Sequence, residues 1–580
     1  MPAARFSNCE VDLLVVGAGA AGWRPRLRGR IEGLEVLVCE KTDQVGGTTA
    51  TAAGTLWIPG NTQGRRAGFD DTQEDAERYL DGLLGHERGR DLRSAFLAAG
   101  PRVIDYFEAR SELRFTSAGQ HPDYRELPGA GVSGRALSCV PFDGRLLGED
   151  FVRVRPPIPD FLVLGGMMVG KSDIATLTGA FRSLPNFLGS ASLVARHAAD
   201  RVRYPRGTRL VMGNALVARL LFSLRKYDVP IMFASPLLEL LRESDRVAGA
   251  VVAQGAGQIR IHARRGVVLA TGGLGRNADL RGRFMHAPFS RHSLSSPGNS
   301  GDGIATGLRM GAAMSSGHRT GAFWAPASMT GRHDEDTLFP HLILDRAKPG
   351  LIAVNSAGHR FVNEACSYHD FVEAMFESDA RVPSIPAYLI CDAAFVARYG
   401  LGIIHPGTRR LRKYRDRGYV TCANTLDDLA GMLSIDRDGL RASVTRNNEF
   451  ALSGVDEDFG KGTLVLNRFN GDASRSSPCL GPIDKPPFCA LKVWPADLGT
   501  SNGLVTSSDA QVLGEHGGAI PGLYACGNDM ASVFHGTYPG PGITLGPALV
   551  SVTSRRCTRR AIAARVGRPH GNDERKNRSN

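Results

Sequence analysis

Apolar runs that end in glycine turns recur along the chain and predict buried strands of a parallel sheet. Residues 11–16 (VDLLVV) form the first run and residues 34–38 the second. Two later runs, residues 266–270 and 522–525, pass into Thr-Gly-Gly and Cys-Gly-Asn. Short, continuous apolar runs of this kind are typical of strands that are covered on both faces. The pattern predicts an α/β fold.

Between these runs the apolar spacing changes. Residues 75–115 repeat apolar side chains at helical intervals, and residues 207–233 predict a helix that leads into a strand. Residues 235–270 predict a meander that returns to the sheet. Residues 117–175 are rich in Pro and Gly and predict loop, and residues 299–303 predict a tight turn before a helix.

The first run is followed at once by the pattern G-x-G-x-x-G. Gly17 permits a tight turn, Gly19 lets a pyrophosphate approach the backbone, and Gly22 lets the next helix pack closely on the strand. Glu40 lies 18 residues after Gly22, at the end of the second run, where a carboxylate can accept hydrogen bonds from ribose hydroxyls. Together these features predict a βαβ dinucleotide-binding unit.

Later glycine turns favour FAD over NAD as the dinucleotide. A second glycine pair and two hydroxyls follow soon after the ribose acid, suited to a further phosphate contact, and two more strand–turn segments come much later in the chain. An extended FAD can contact such separated segments. The predicted contacts are Gly17, Gly19, Ala20, Ala21, Gly22, Glu40, Lys41, Gly46, Gly47, Thr48, Thr49, Ala270, Thr271, Gly272, Gly273, Gly527 and Asn528.

The net charge of +12 is local. Residues 23–30 carry four arginines and no acidic residue, and residues 554–580 carry nine basic and two acidic residues. The remaining chain has 57 basic against 56 acidic residues. The arginines of 182–209 alternate with apolar residues and favour a solvated helical face over a nucleic-acid groove. We therefore expect no nucleic-acid partner.

Ten cysteines are scattered through 580 residues without C-x-x-C spacing. This spacing predicts neither a metal site nor a redox dithiol, and it favours reduced thiols in a cytoplasmic protein. No apolar run reaches the roughly 18 residues that span a bilayer. The N-terminal apolar run predicts a strand and not a signal peptide, so we expect at most loose membrane association.

Four longer motifs carry a family resemblance: GGTTATAAGTLWIPGN (46–61), ATGG (270–273), NSAGHRFVNEACSYHDF (355–371) and GTYPGPGITLGP (536–547). Over most of residues 10–550 the sequence resembles the flavoproteins that include fumarate reductases and 3-ketosteroid dehydrogenases, and among them most closely the 3-ketosteroid Δ1-dehydrogenases.

The resemblance implies a Rossmann-like FAD-binding domain with an inserted α+β catalytic domain. The FAD-binding domain would comprise residues 1–290 and 495–553, the catalytic domain residues 291–494, and a basic tail residues 554–580.

The same resemblance implies the catalytic roles. Tyr538 and Gly542 would hold a C3 carbonyl oxygen, Tyr368 would take a proton from C2, and Tyr124 would support Tyr368. Flavin N5 would take hydride from C1, which leaves a C1–C2 double bond. Gly542 and the nearby Thr544 and Leu545 would also contact FAD.

Partners and alternatives follow from the same comparison. Residues 46–54 contain no histidine, the residue that covalently flavinylated relatives carry there, so FAD is predicted to be non-covalent. The partners would be a 3-ketosteroid and an unidentified electron acceptor. The alternatives are a Δ4-(5α)-3-ketosteroid dehydrogenase, another flavin oxidoreductase of this family, or a non-catalytic protein.

Two segments depart from the family pattern, in which an apolar helix follows Gly22. Residues 23–30 (WRPRLRGR) place four arginines and Pro25 on this helix, and residues 551–580 replace a second apolar helix. A proline inside a helix costs roughly 3 kcal/mol. We interpret both segments as reading-frame excursions and predict, if they are genuine, a distorted helix over 18–31 and weaker FAD binding.

Overall fold

Strands from both ends of the chain lie in one eight-stranded sheet of the computed structural model, which describes residues 9–285, 290–331 and 337–550. Its parallel centre confirms the predicted α/β class, and the predicted meander over 235–270 forms its antiparallel side. The sheet order is Ile231–Met232, Val36–Cys39, Cys9–Val16, Gly257–Leu269, Arg246–Gln254 and Leu237–Glu243, with Ala519–Ala525 pairing with both Gly257–Leu269 and Gln511–Leu513.

The first strand is buried on both faces, which explains its continuous apolar sequence. Leu14 and Val16 belong to the main hydrophobic core. Leu13 and Val15 belong to a second cluster, which also contains Ala548. Because side chains alternate along a strand, these two clusters lie on opposite faces of the sheet.

The loops predicted to bind FAD follow the carboxyl ends of four parallel strands. These strands end at Val16, Cys39, Leu269 and Ala525. Parallel strands place their carboxyl ends at the same edge of a sheet, and ligands bind in the crevice outside that edge. Loops that are hundreds of residues apart in sequence are thereby brought together.

A second sheet of seven strands is built around the long strand Phe488–Thr500. It draws its strands from residues 292–500, the part of the chain for which an inserted domain is predicted; the domain boundaries themselves stay a prediction. The strands that pair with Phe488–Thr500 are Ala322–Met329, Ala387–Asp392, His292–Ser293 and Thr421–Ala423, while Leu338–Pro340 pairs with Ala322–Met329 and Leu351–Val354 with Ala387–Asp392.

Three small sheets and the helices complete the described chain. The small sheets are Thr55–Trp57 with Ala136–Cys139 and Phe115–Ser117, Phe142–Asp143 with Arg209–Leu210, and Leu162–Val163 with Met167–Met168. The α-helices are Trp23–Ile31, Thr62–Arg66, Gln73–Leu84, Arg90–Arg110, Lys171–Thr178, Leu184–Arg203, Met212–Lys226, Ala278–Phe284, Asp302–Arg309, Tyr368–Asp379, Ala393–Tyr399, Arg412–Arg415, Leu426–Leu433, Arg437–Ser453, Val465–Asn470 and Leu545–Val550; the 3₁₀ segments are Gly47–Thr51, Gly144–Arg153, Pro159–Phe161 and Gly527–Asp529.

The helix after the first glycine loop corrects the prediction of a distortion over 18–31. It runs from Trp23 to Ile31, so Pro25 lies in its first turn. The first turn of a helix makes no use of the backbone N–H that proline lacks, and the proline therefore breaks no hydrogen bond there. The segment 554–580, predicted as a basic tail, lies outside the described residues.

Within the described ranges, none of the helices combines the length and the apolar character that crossing a bilayer requires.

Candidate active site

One cavity of about 460 Å³ brings together the predicted FAD loops and the predicted catalytic residues. Tyr124, Tyr368, Tyr538 and Gly542 line it. The predicted FAD contacts that line it as well are Gly17, Gly19, Ala20, Ala21, Glu40, Lys41, Gly47, Thr48, Thr49, Ala270, Thr271, Gly272, Gly527, Asn528, Gly542, Thr544 and Leu545.

Three predicted contacts pack behind the cavity wall instead. A Cβ atom added to Gly22 would lie 2.9 Å from a side-chain carbon of Val15, which fits close packing of helix on strand. Gly46 and Gly273 are equally enclosed by protein atoms. These glycines shape the loops without lining the cavity.

The first glycine loop leaves its backbone open to the cavity at Gly19. Gly17 makes the turn: its φ is +103°, and a Cβ atom there would lie 2.2 Å from the carbonyl oxygen of Ala270. At Gly19, by contrast, an added Cβ atom would meet no protein atom within 4 Å. A phosphate can therefore approach the main chain at this point.

Glu40 holds this loop in place and lines the cavity. One carboxylate oxygen accepts a hydrogen bond of 2.7 Å from the N–H of Ala18. The other accepts from both the N–H and the hydroxyl of Thr42, each at 2.9 Å. Lys41 forms an ion pair of 2.9 Å with Asp302, at the start of the helix Asp302–Arg309.

Residues near 299, which the sequence marks only as a turn, belong to this wall. The hydroxyl of Thr48 accepts hydrogen bonds from the N–H of Ser296 at 2.9 Å and from the side-chain amide of Asn299 at 3.1 Å. Asn299 also donates to the carbonyl of Gly272 at 2.9 Å. A polar turn directly before a helix was the signal that could have identified them.

Asp529, also missed from the sequence, fixes two glycine turns to each other. Its carboxylate accepts hydrogen bonds from the N–H groups of Thr271 and Gly273 and from the hydroxyl of Thr271. Burial raises the pKa of this carboxyl to about 6. Its position directly after Gly527-Asn528 was the available signal.

These features fit FAD. An open stretch of backbone at Gly19, a carboxylate at the end of the second strand and several polar turns share one edge of the sheet. The residues that would hold the dinucleotide are Gly17, Gly19, Glu40, Thr48, Thr49, Asn299 and Thr271.

Three tyrosine hydroxyls form a buried row beside these loops. The hydroxyl of Tyr124 donates to that of Tyr368 at 3.1 Å, and Tyr368 donates to Tyr538 at 2.8 Å. The rings of Tyr124 and Tyr538 stack, with their centroids 5.5 Å apart, and the Tyr368 ring lies edge-on to both. The row is fixed by ring packing as well as by hydrogen bonds.

Each tyrosine comes from a different part of the chain. Tyr368 is the first residue of the helix Tyr368–Asp379, whose N-cap Ser367 accepts a hydrogen bond from the N–H of Asp370. Tyr124 and Tyr538 lie in loops. The positive end of the helix dipole at Tyr368 favours a negative charge on this residue.

The loop after Tyr538 is anchored at its back. The carbonyl of Pro539 accepts hydrogen bonds from the hydroxyl of Tyr79 at 2.7 Å and from the N–H of Tyr124 at 2.8 Å. Gly542 has φ +92°, and a Cβ atom there would lie 2.4 Å from the carbonyl oxygen of Thr55. Only glycine fits this approach.

His369 joins this loop to the helix of Tyr368. Its Nδ1 accepts from the N–H of Trp324, and its Nε2 donates to the carbonyl of Gly536, each at 3.1 Å. Burial lowers the pKa of this imidazole, which agrees with the neutral ring that these two bonds require. His369 therefore packs beside Tyr538, with their ring centroids 5.6 Å apart.

Burial holds the pKa of all three tyrosines well above the ordinary value of 10. The neighbouring hydroxyls add to this, because a second charge in the row would be repelled. The guanidinium of Arg346 acts in the opposite direction on the pKa of Tyr124 and Tyr368. In the resting protein the row is neutral and can donate hydrogen bonds.

The wall near the tyrosines is apolar and was not predicted. It includes Phe161, Pro340, Leu342 and Ile343. These residues lie in short or irregular segments that carry no periodic signal. In the part of the chain that the structure describes, no group of His, Cys, Asp and Glu is arranged to hold a metal ion.

Comparison with known families identifies the chain. The family model described as an FAD binding domain matches residues 12–545. The chain belongs to this family of FAD-binding proteins, and the prediction of FAD as cofactor is confirmed.

Similar individual proteins confirm the resemblance seen in the sequence. The chain is 36% identical to 4-oxocyclohex-2-ene-1-carboxylate 5-dehydrogenase of Sinomonas cyclohexanicum, over 96% of each chain. It is 34% identical to 3-oxosteroid 1-dehydrogenase of Mycobacterium tuberculosis, over 93% of this chain and 96% of that one. The solved structure of 3-ketosteroid Δ1-dehydrogenase from Sterolibacterium denitrificans, in complex with 1,4-androstadiene-3,17-dione, is similar with a TM-score of 0.87 and 33% identity, over 96% of this chain and 100% of that one.

Proposed function

We propose that this protein is an FAD-dependent oxidoreductase that introduces the C1–C2 double bond into ring A of 3-ketosteroids. The observation that carries the proposal is the row of three tyrosine hydroxyls in the cavity that the FAD loops also line. We further propose residues 291–494 as the catalytic domain and residues 1–290 and 495–553 as the FAD-binding domain.

In the proposed mechanism, Tyr538 and Gly542 bind the ketone. The neutral Tyr538 hydroxyl and the Gly542 N–H donate to the carbonyl oxygen, whose negative charge grows as the carbon beside it loses a proton. Donors fixed in a buried site stabilise that charge more than they stabilise the ground-state ketone. The hydrogen bonds to the Pro539 carbonyl hold the loop that carries both donors, Tyr538 and Gly542, in one position.

Tyr368 takes the proton from C2 as its phenolate, which forms when its own hydroxyl proton is released to solvent. This phenolate is stabilised by the hydrogen bond that Tyr124 donates, by the helix start and by the charge of Arg346. When bound, FAD supplies the acceptor for the hydride that leaves C1, and the external electron acceptor then takes the two electrons. The apolar wall excludes water from the place where the proton leaves C2 and the hydride leaves C1.

The apolar wall also favours a steroid over a small anionic ketone. The relative from Sinomonas cyclohexanicum is named for a cyclohexenone that carries a carboxylate. The lysine and the arginine that line the cavity, Lys41 and Arg155, lie on the FAD side, where Arg155 donates to the carbonyl of Gly47 at 3.3 Å. Desaturation of 4-oxocyclohexene carboxylates is the second candidate, because that relative shares 36% identity.

Turnover of the two ketones tests the proposal. The holoenzyme is incubated with a dye acceptor and either androst-4-ene-3,17-dione or 4-oxocyclohex-2-ene-1-carboxylate, and the products are separated by mass. We expect androsta-1,4-diene-3,17-dione and little reaction of the carboxylate. The reverse preference would select the second candidate. A substrate preference for 5α-reduced steroids with a new Δ4 bond would select a Δ4-(5α)-dehydrogenase.

We also propose a cytoplasmic enzyme that associates loosely with anionic membranes through the helix Leu184–Arg203. This helix is inverted: it buries Ser190, His197 and Asp200, while its exposed face is apolar. The exposed apolar side chains on and just before it are Phe181 (95%), Leu184, Phe187, Leu188, Val194 and Val202 (90%).

Charge and position support a lipid surface as the occupant of this face. Arg182, Arg201 and Arg203 are exposed around it and suit anionic headgroups. The ring of His197 contacts the carbonyl of Leu164, another exposed apolar residue, at 3.0 Å. Phe161, three residues before, lines the cavity, so the apolar surface leads to the ketone site.

Vesicle binding tests this surface. Sedimentation with phosphatidylglycerol–phosphatidylcholine vesicles should be reduced at least fivefold by Leu188→Glu. It should be unaffected by Leu452→Glu, which changes a leucine on another helix that is even more exposed, at 90% against 58%. Sedimentation with neutral vesicles should be weaker. If Leu188→Glu leaves vesicle binding unchanged but abolishes self-association of the protein, the face is instead an interface between two copies.

A further inference from the structure

Arg346 lies fully inside the protein, behind the tyrosine row, at 2% exposure. Its guanidinium donates to four main-chain carbonyls: those of His341 at 2.9 Å, Leu342 at 3.1 Å, Glu364 at 2.8 Å and, more weakly, Cys366 at 3.4 Å. The carbonyls of His341 and Leu342 lie in the segment 340–343, which contributes to the cavity wall, and those of Glu364 and Cys366 lie shortly before Tyr368 in the sequence. Arg346 therefore ties two segments of the site together.

A ring contact strengthens the tie to the helix of Tyr368. The guanidinium carbon lies 4.8 Å from the centroid of the Phe371 ring, and Phe371 is three residues after Tyr368 on the same helix. A guanidinium placed over an aromatic ring gains cation–π attraction, which grows when both groups are desolvated. The side chain thus holds the helix start by its hydrogen bonds and by this contact.

In the described chain, no carboxylate forms a hydrogen bond with the guanidinium of Arg346 that would neutralise its charge. The neighbouring Asp345 bonds instead to the ring of His341 at 2.5 Å and to the N–H of Gly402. The side chain of Glu364 pairs with Arg360 at 2.9 Å and with Lys461 at 3.4 Å. A buried cation whose hydrogen bonds go to neutral carbonyls exerts its field over several ångströms, because little water is present to screen it.

We propose that Arg346 is a positioning residue of the dehydrogenation, which fixes the start of the Tyr368 helix against the wall segment Leu342–Ile343 and stabilises Tyr368 after it has lost its proton. The inference rests on the proposed function, in which Tyr368 takes a proton from the ketone. An arginine is needed because only its planar fork can serve four carbonyls at once.

Other titratable and charged groups surround this pair. The groups that face Tyr368 and Arg346 from the packed elements are Asp123, Tyr124, Tyr538, His341, Asp345, Glu364, Cys366 and the ion pair of Arg125 with Asp370. Asp123 raises the pKa of Tyr124, so removal of Arg346 would leave this effect unopposed.

The test compares Arg346→Met with Arg346→Lys. We expect Arg346→Met to lower kcat at neutral pH about 100-fold, with KM changed less than threefold, and to move the rise of kcat with pH upward by about one pH unit or more. Arg346→Lys keeps the positive charge but loses the planar guanidinium group that reaches several carbonyls. It should lower kcat about tenfold and leave the position of the pH profile nearly unchanged.

Arg360→Met is the matched control. Arg360 is another buried arginine of this region, but it pairs with the carboxylates of Glu364 and Asp456. Its loss should lower the Tm without moving the pH profile. Flavin absorbance and far-UV circular dichroism verify that each variant is folded. Equal kcat losses in Arg346→Met and Arg346→Lys, at an unchanged pH profile, would show that the role is structural only.

A readout without turnover separates this inference from the proposed function. The tyrosinate absorbance that Tyr368→Phe removes is titrated in the parent and in Arg346→Met. A higher titration midpoint in Arg346→Met supports the role of Arg346 even if no steroid is dehydrogenated. The opposite outcome is that Arg346→Met remains active and changes neither the titration midpoint of Tyr368 nor the pH profile of kcat. That outcome would overturn the inference and leave the proposed function intact.

Discussion

The hydroxyl of Tyr368 donates a hydrogen bond of 2.8 Å to the hydroxyl of Tyr538, which lies 170 residues later in the chain. One residue starts a helix of the central part of the sequence, and the other lies in a loop close to the last described helix. The bond therefore depends on the packing of elements that are far apart in the sequence. It places a candidate base next to a candidate carbonyl donor.

This hydrogen-bonded pair predicts different losses of kcat when the hydroxyl of Tyr538 or that of Tyr368 is removed. Tyr538→Phe should lower kcat on the order of 100-fold, because one preorganised donor to a developing oxyanion is lost. Tyr368→Phe should lower it by about 10²- to 10⁴-fold, as expected for a missing general base. Steady-state kinetics with androst-4-ene-3,17-dione measures both.

Tyr414→Phe serves as the control for these two variants. Tyr414 is also buried, but it does not line the cavity. Its hydroxyl should be removable with less than a twofold change in kcat. If Tyr538→Phe retained full activity, the proposed role of this hydroxyl in carbonyl binding would be wrong.

The opening at Gly19 predicts a defect in FAD binding without a defect in folding. Gly19→Val would place its side chain in the cavity, where the protein itself offers no clash. We expect the apoprotein to keep its Tm within about 1 °C and its affinity for FAD to fall more than tenfold. Flavin fluorescence quenching measures the affinity.

Gly518→Val is the matched control, because an added Cβ atom is equally unobstructed there and the residue lies in an exposed turn. It should bind FAD normally.

The mode of FAD attachment is a separate prediction. Acid denaturation of the parent holoenzyme should release all the flavin into the supernatant, since FAD is predicted to be non-covalent. Flavin retained on the precipitated protein would contradict that prediction.

Asp529 predicts a pH dependence of stability. Burial raises the pKa of its carboxyl to about 6, so between about pH 4 and 6 the folded protein holds a proton that the unfolded chain releases. This contribution to stability is present below about pH 4 and is lost as the pH rises through 6. Between pH 4 and 7 the parent apoprotein should lose about 2–3 kcal/mol relative to Asp529→Asn.

Urea unfolding of both apoproteins at several pH values measures this difference. The absolute stability of Asp529→Asn will also fall, because its amide cannot accept hydrogen bonds from the N–H groups of Thr271 and Gly273 with both atoms. The change of the difference with pH is therefore the diagnostic quantity. A difference that stays constant with pH would mean that Asp529 is ionised throughout this range.

How far the sequence predicts this site depends on whether a residue acts through a local pattern. Gly17, Gly19 and Glu40 follow strand ends at characteristic spacings, and those spacings alone predict a dinucleotide fold. Tyr368 and Tyr538 were identified only through family motifs. No spacing predicts that their hydroxyls touch, because that contact is set by the packing of distant elements.

Residues that act from irregular segments were missed for the same reason. Phe161 and Leu342 form the apolar wall from segments without periodicity, and Arg346 acts through main-chain carbonyls that any sequence provides. The helix Trp23–Ile31 shows the opposite case: the family pattern predicts a helix that contains Pro25, whereas the observed start at Trp23 places this proline in the first turn, where it breaks no hydrogen bond.

Arg26 is the remaining departure on that helix, and it predicts a stabilising substitution. Its side chain is fully buried, and this burial lowers the pKa of the guanidinium to about 10. The group is therefore still charged at neutral pH, in a place where the family pattern calls for an apolar residue. Taking a charge out of water costs several kcal/mol, and an apolar side chain of similar volume does not carry that cost.

We expect Arg26→Met to raise the Tm of the apoprotein by several degrees and to bind FAD at least as tightly as the parent. Arg206→Met is the matched comparison. Burial lowers the pKa of Arg206 to about 10 as well, and its guanidinium donates to the carbonyl of Val154 at 3.2 Å and lies 4.8 Å from the Phe151 ring. Loss of these contacts should lower the Tm. Differential scanning calorimetry measures the Tm of both variant apoproteins against that of the parent. A lower Tm for both variants would mean that the interactions of Arg26 outweigh the cost of burying its charge.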